Sequence, residues 1–237
     1  MKIERILFMG GKPVGNAILA YLKNEVPYWK HFAHFSKPNH QLMGFAESFE
    51  PDLIVVAYYD YILPKEIIDI PKYGCINVHL ADAERYRGCY PTTRAILNGD
   101  KEYGVTIHYI DEGIDTGDIL YKTNFKIPPY CTGKELYDLA TFEGIQAFKE
   151  FWPKFKAGEL KGRKQGDEDY FGQHFAFLQN PFPRKFDKLQ REIELDEFKE
   201  ASTEIQQILA FDFPPYEGAY IMIGDKKYKL VCDDTTT

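Results

Sequence analysis

The chain has 237 residues, of which 44% are hydrophobic and 27% charged, and its formal net charge is −7. This length suits one large domain or a domain with a small annex, and the composition is that of a soluble globular protein. The negative charge argues against a broad DNA-binding surface, because such surfaces need many cations, but it leaves room for a local basic pocket.

The four cysteines are widely spaced, and no pair has the Cys-x-x-Cys spacing typical of structural zinc. So few cysteines in a chain of this size predict free thiols in a reducing compartment. The N-terminal sequence has no cleavable signal pattern, and no apolar run approaches the ~20 residues that cross a bilayer. We therefore expect a cytoplasmic protein.

The first third of the chain alternates predicted strands and helices. Strands are expected at 3–9, 53–58 and 75–80, and helices at 14–23, 39–50 and from residue 65 onward. The run Leu53–Tyr58 is apolar throughout, which is typical of a strand buried on both faces of a parallel sheet. Alternating strands and helices of this kind predict an α/β fold with a mainly parallel central sheet.

The middle and the end of the chain complete this prediction. A helix is expected at 90–97, strands at 105–110 and 119–127, and a helix from the capping box Thr132–Glu135 to about Trp152-Pro153. Residues 156–170 read as a linker, 195–209 as a helix, 220–223 and 226–232 as a β-hairpin, and 233–237 as a disordered tail. We expect a catalytic domain at 1–155 and a small C-terminal subdomain at 156–237.

Three polar residues stand out in the stretch Cys75–Leu120. Asn77 and His79 alternate within a predicted strand and so share one face, and Asp115 lies in a glycine-rich turn. Taken singly, each has an ordinary structural explanation: a strand-edge amide, a hydrogen-bonded core imidazole and a turn former. Together they fit acyl transfer to an amine, with an oxyanion donor, a proton acceptor and a carboxylate that orients the imidazole.

The first predicted strand ends in a glycine turn that opens a helix, Gly10-Gly11-Lys12. Backbone N–H groups at a helix start favour anions, so Gly11 and Lys12 are candidates for a phosphate site. The full Gly-x-Gly-x-x-Gly pattern is absent, and a tight turn explains Gly10 equally simply. Lys12 is either a phosphate contact or a solvated lysine.

The motifs around this stretch resemble those of the 10-formyltetrahydrofolate-dependent formyltransferases. They are Asn77-x-His79, Tyr86-Arg-Gly88 with Pro91, Gly104-Val-Thr-Ile-His108 and Asp111-x-Gly-x-Asp115-Thr-Gly-Asp-Ile-Leu120, and the match covers about residues 1–150. That family includes glycinamide ribonucleotide, methionyl-tRNA and sugar N-formyltransferases. The resemblance implies a Rossmann-like formyltransferase core, 10-formyltetrahydrofolate as cosubstrate, no metal, and Asn77, His79 and Asp115 as catalytic residues.

The same resemblance implies that the loop Tyr59–Pro64 lines the pterin pocket, with backbone contacts near Ile62 and Leu63. The residues that it assigns to folate binding are Tyr61, Ile62, Leu63, Asp111 and Asp115. The chain departs from many relatives on the substrate side. It has His79-Leu-Ala81 where His-Pro-Ser is common, Arg94 where Trp is common, and a polar segment at 81–85.

The segment Phe213–Tyr220 and the hairpin after it resemble the sugar N-formyltransferases that act on nucleotide-linked 4-amino sugars. The resemblance implies a dTDP- or UDP-linked substrate, most closely dTDP-4-amino-4,6-dideoxyglucose, for surface polysaccharide such as the O-antigen of lipopolysaccharide. It also implies a homodimer formed through C-terminal elements. Tyr216 then stacks on the base or packs in the hairpin, while Lys12 and Arg85 or Arg87 meet the pyrophosphate.

Three alternatives stay open at this point. Arg87 is equally a candidate for bracing the catalytic loop. A methionyl-tRNA formyltransferase is the nearest other activity, although the chain is short for one and its acidic balance suits tRNA poorly. A catalytically silent folate-binding protein is the third, and the complete set of amide, imidazole and carboxylate argues against it.

Overall fold

A six-stranded sheet forms the centre of the computed structural model, which describes residues 1–25, 32–35, 42–166, 201–223 and 225–230. Its strands are β1 (Ile6–Gly10), β2 (Phe32–Phe35), β3 (Leu53–Ala57), β4 (Cys75–His79), β5 (Glu102–Tyr109) and β6 (Ile119–Lys126), in the order β2-β1-β3-β4-β5-β6. The first four pair in parallel, whereas β5 and β6 each run antiparallel to the strand before them. The predicted α/β class with a mainly parallel sheet is confirmed. The sequence analysis missed β2.

Helices cover both faces of this sheet. They are α1 (Lys12–Glu25), α2 (Leu42–Phe49), α3 (Lys65–Ile68), α4 (Pro91–Leu97), α5 (Gly133–Ala157) and α6 (Ala201–Phe211). Within β1, Ile6 and Phe8 join the core beneath α1 and α5, and Leu7 and Met9 join the core beneath α2 and α3. The strand is apolar at every position because both of its faces are buried.

The prediction that α5 ends near Trp152-Pro153 was wrong. The helix continues to Ala157 and ends at Gly158, which adopts the left-handed conformation with φ +76°. Proline inside a helix costs about 3 kcal/mol, because it removes a backbone hydrogen bond. The helix tolerates this cost here because Phe151, Trp152 and Phe155 are all fully buried in the core.

The C-terminal hairpin is confirmed as β7 (Tyr220–Ile223) and β8 (Lys226–Lys229). The described part of the predicted 195–209 helix is α6, which ends two residues later than expected. The predicted tail and the last four residues of the predicted linker lie outside the described residues. The linker's described part, up to residue 166, is not free chain, because Arg163 exchanges two backbone hydrogen bonds with Ile119 at the sheet edge.

Across the described ranges, no helix combines the length and apolar composition that crossing a membrane requires.

Candidate active site

Strand β4 presents Asn77 and His79 on one face, and the turn before β6 brings Asp115 to both of them. Asn77 Nδ2 donates to Asp115 Oδ1 at 3.2 Å, and His79 Nδ1 lies 3.5 Å from Asp115 Oδ2. The structure therefore brings together the three residues that the sequence singled out. The strand supplies two of them through simple alternation, and the turn supplies the third.

The carboxylate of Asp115 is held from several sides. The backbone N–H of Gly88 donates to Oδ2 at 2.9 Å, and the side chain is only 13% exposed. Burial by itself raises the pKa of this carboxyl, but His79, His108 and the Gly88 N–H outweigh that effect and hold it well below its ordinary value. Asp115 is thus a fixed anion that remains partly open to the surface.

The ring of His79 has a defined tautomer. Its Nε2 lies 2.6 Å from the backbone oxygen of Tyr86. A carbonyl oxygen only accepts hydrogen bonds, so Nε2 carries the proton. The nitrogen left to gain or lose a proton is Nδ1, which faces Asp115. The carbonyl of Tyr86 therefore sets the tautomer, a task that the sequence analysis gave to Asp115, and the carboxylate is left to balance the charge of an imidazolium.

His108 belongs to the same cluster, although the sequence analysis gave it no role. It lies opposite Asn77 in the β4–β5 register and is 2% exposed. Its Nδ1 donates to the Tyr109 carbonyl at 2.7 Å, while its Nε2 lies 3.3 Å from Asn77 Nδ2 and 3.4 Å from Asp115 Oδ1. Strand alternation on β5, where Thr106 and His108 share a face, was the signal that could have identified it.

The loop after β3 lies beside the Asp115 turn. Tyr61 and Ile62 are 45% and 75% exposed, whereas Leu63 is buried in the core beneath α2 and α3. Lys65 at the start of α3 lies 3.0 Å from Glu112, which joins this loop to the turn. Asp111 accepts hydrogen bonds from Gly113 N and Thr116 Oγ1, so its carboxylate stabilises the turn from within.

The first glycine turn is as tight as its sequence indicates. A methyl group on Gly10 would lie 1.9 Å from the Ala57 oxygen, so only glycine fits there. The N–H of Gly11 donates to that same oxygen at 3.3 Å and is therefore already used within the protein. Lys12 extends its ammonium group to 5.0 Å from the centre of the Tyr58 ring.

Aromatic side chains form a second cluster around Tyr58. Their edge-on or tilted contacts run from Tyr58 to Tyr137 at 6.0 Å, on to Phe213 at 5.4 Å, and then to Tyr216 at 6.0 Å. Burial, followed by the nearby Tyr137, Asp60 and Tyr216, raises the pKa of Tyr58. Two predicted substrate residues, Lys12 and Tyr216, thus converge on Tyr58, which the sequence did not single out.

The two predicted arginines behave differently. Arg85 Nη2 donates to both carboxylate oxygens of Asp100, at 2.8 and 2.9 Å, and its guanidinium lies over the ring of Tyr86. Arg87 donates to the Ala83 carbonyl and to Gln165, so it braces the loop that carries Gly88. The structure groups neither of them with Lys12 and Tyr216.

The fold and site define an α/β protein in which an amide, an imidazole and a carboxylate meet at one edge of the sheet. The family model described as formyl transferase matches residues 17–151, which is more than half of the chain. The chain belongs to this family.

Individual relatives agree on the family but differ in the substrate they name. The methionyl-tRNA formyltransferase of Caldanaerobacter subterraneus subsp. tengcongensis is 41% identical over 133 residues, which are 56% of this chain and 43% of that protein. The chain spans about half the length of the curated relatives it matches.

Solved structures match nearly the whole chain. A sugar N-formyltransferase from a Shewanella species has a TM-score of 0.77 at 18% identity and covers 96% of both chains. An N-formyltransferase from Helicobacter canadensis, in complex with folinic acid and dTDP-3-aminofucose, has a TM-score of 0.72 at 21% identity and covers 95% of this chain and 86% of that one. These likenesses confirm the formyltransferase fold.

Proposed function

We propose that this protein transfers a formyl group from 10-formyltetrahydrofolate to the amino group of a nucleotide-linked amino sugar. The supporting observation is that the two clusters lie at one edge of the sheet. Ala57 pairs with Val78 in the β3–β4 register, so Tyr58 and His79 follow at the same carboxyl end. Open α/β sheets bind their ligands at this edge.

The site supplies each group that the transfer needs. The amine nitrogen attacks the formyl carbon, and Asn77 donates to the oxyanion that develops once one of its N–H groups turns away from Asp115 or His108, an interaction worth about 2.7–4 kcal/mol in other enzymes. The amine proton passes to His79 Nδ1, and the imidazolium is balanced by Asp115. When the bond to the folate nitrogen breaks, the imidazolium returns the proton to that leaving nitrogen. The step needs no metal.

The formyl donor fits the open loop after β3. Tyr61 and Ile62 offer exposed apolar surface to a flat ring, and the backbone around Ile62 and Leu63 offers hydrogen bonds to its edge. The turn containing Asp111 and Asp115 closes the other side, since the Lys65–Glu112 pair holds loop and turn together. The complex of the Helicobacter canadensis enzyme with folinic acid supports a folate in a protein of this fold.

The sugar nucleotide fits the cluster around Tyr58. Tyr216 is 60% exposed and is available to stack on a base, and Lys12 supplies a cation for the pyrophosphate. Arg85 would have to leave Asp100 to take part. The assignment to dTDP-4-amino-4,6-dideoxyglucose, to surface polysaccharide synthesis in the cytoplasm and to a homodimer joined through the hairpin belongs to the same proposal, as does the division at residue 155.

Methionyl-tRNA formyltransferase is the second candidate, because the most similar curated relatives carry that name. Both candidates use the same three residues and the same donor. They differ in the amine acceptor, which must fit against the cluster of Lys12, Tyr58 and Tyr216.

The test is a release assay. The chain is mixed with 10-formyltetrahydrofolate and either dTDP-4-amino-4,6-dideoxyglucose or methionyl initiator tRNA, and formation of tetrahydrofolate is followed. We expect turnover with the sugar nucleotide and, in Tyr216→Ala, a KM for it raised about tenfold with an unchanged KM for the donor, as expected for one lost stacking contact. Turnover with tRNA alone would reverse the assignment, and no turnover with either would favour the silent folate-binding protein.

A further inference from the structure

We propose that Gln165 is a positioning residue for Asp115, an inference that rests on the proposed function. Gln165 lies in the stretch that the sequence analysis read as a linker. Its side-chain amide donates to the backbone oxygens of Asp115 at 2.9 Å and Gly117 at 2.8 Å. Both N–H groups of this amide therefore bind the turn that carries the Asp115 carboxylate.

The carbonyl end of the same amide faces a second loop. Gln165 Oε1 accepts from Arg87 Nε at 3.1 Å and from Arg87 Nη2 at 2.6 Å. Arg87 precedes Gly88, whose N–H donates to Asp115 Oδ2. Gln165 thus connects the backbone of Asp115 to the loop that holds its carboxylate, and it fixes the distance between these two loops.

Asp115 needs such support because of its backbone. Its φ is +54°, a left-handed conformation that is uncommon for a residue with a Cβ, although Asp adopts it more readily than most residues. A turn held in this conformation relaxes readily when its carbonyl partners are lost. Relaxation would move the carboxylate relative to His79 Nδ1, which lies 3.5 Å away at the outer limit of an ion pair.

Gln165 is itself held firmly. Two residues earlier, Arg163 makes both backbone hydrogen bonds to Ile119, and its guanidinium forms a bidentate pair with the buried Glu84 at 2.9 and 3.0 Å. The Gly166 N–H also points to Glu84 at 3.4 Å. The segment 163–166 is therefore a rigid strap, and Gln165 is the side chain through which it reaches the site.

Two variants separate positioning from simple stability. Gln165→Ala removes all four hydrogen bonds. Gln165→Glu keeps an acceptor, now charged, for Arg87 but cannot donate to the carbonyls of Asp115 and Gly117. Lys164→Ala, an exposed neighbour on the same strap, is the control. We expect kcat to fall at least tenfold in both Gln165 variants, with KM for donor and acceptor within threefold of the unchanged protein, and the control to keep its full rate.

Hydrogen exchange gives a readout that needs no activity. Amides of residues 111–118 should exchange at least fivefold faster in both Gln165 variants, and those of β1 and β3 should not change. A kcat within twofold of normal in Gln165→Glu, or unchanged exchange at 111–118, would overturn the proposal. If the unaltered chain formylates no amine, the proposed function fails, and the exchange measurement still decides whether Gln165 holds the turn.

Discussion

The parallel and antiparallel halves of the sheet are built from different side chains. In β1 and β3, every residue is apolar or glycine and buried. The paired strands β4 and β5 carry polar groups instead, namely the buried His79, Thr106 and His108 and the half-buried Asn77, which meet as the pairs Asn77–His108 and His79–Thr106. One half of the sheet is a scaffold, and the other half carries the chemistry.

The difference shows what the site requires from its surroundings. A buried polar group without a partner costs about 1–3 kcal/mol, so each one in β4 and β5 needs a hydrogen bond. In each histidine, one ring nitrogen donates a hydrogen bond to a backbone carbonyl, that of Tyr86 for His79 and that of Tyr109 for His108. The other ring nitrogen of each faces Asp115. The buried polar groups are thus supported partly by loops outside the sheet, which supply Tyr86 and Asp115, whereas the side chains of β1 and β3 need only apolar packing.

The largest effect on kcat is expected from Asp115→Asn, which removes the carboxylate at the centre of the polar cluster. Asparagine keeps the shape but cannot balance an imidazolium, so kcat should fall about 10³–10⁴-fold. The release assay measures this loss. Glu102→Gln, which removes an exposed carboxylate at the start of β5, is the control and should keep its rate. A loss smaller than tenfold in Asp115→Asn would show that the cluster is not the catalytic centre.

Phe8→Ala tests the apolar packing of the parallel strands. Phe8 is fully buried in β1, and its removal leaves a cavity that costs about 3–5 kcal/mol in the free energy of unfolding. Urea titration measures this cost. The rate per folded molecule should stay within about twofold of normal, because β1 contributes no group to the proton transfer. A much lower rate at full folding would mean that the two halves are not separable.

Glu84→Gln tests the ion pairs that anchor the strap. Burial alone would raise the pKa of Glu84, but Arg163 and Lys122 outweigh it and lower the pKa to about 2. A depressed carboxyl pKa stabilises the fold above the unfolded value of 4.5, and this contribution is lost as pH falls from 4.5 toward 2. The variant should therefore be less stable by about 3 kcal/mol at pH 7, with a gap that shrinks below pH 4.5.

Urea titrations between pH 3.5 and 7 measure this gap. The control Glu159→Gln removes an exposed carboxylate close to the strap and should change stability by less than about 0.5 kcal/mol. A gap that stays constant over the whole pH range would contradict the assigned pKa direction.

The smallest effect is expected from Thr132→Ala at the start of α5. The Thr132 side chain accepts from Glu135 N, and the Glu135 side chain accepts from Thr132 N, a reciprocal cap worth about 1 kcal/mol. Thermal unfolding should show this loss, whereas Thr132→Ser should restore most of it. Neither change should alter kcat, since both hydrogen bonds of the cap lie within the first turn of α5. A lost rate in Thr132→Ala would show that this first turn positions Tyr137 in the cluster around Tyr58.

Local pattern was enough for much of this structure. Apolar runs located β1, β3 and β4, and the capping box located the start of α5, because burial and capping act on neighbours in sequence. Alternation in β4 brought Asn77 and His79 to one face. The end of α5 was missed because buried aromatics beyond Pro153 outweigh the proline, and that burial depends on packing partners distant in sequence.

The sequence alone determined the α/β class and the three residues that meet in the site, Asn77, His79 and Asp115, because strand period and glycine spacing are local properties. Tertiary structure decided what holds them. The Tyr86 carbonyl fixes the His79 tautomer, His108 enters from the neighbouring strand, and Gln165 reaches the turn from the strap. These contacts join segments far apart in the chain, so only the pairing of strands and loops brings their atoms within hydrogen-bonding distance.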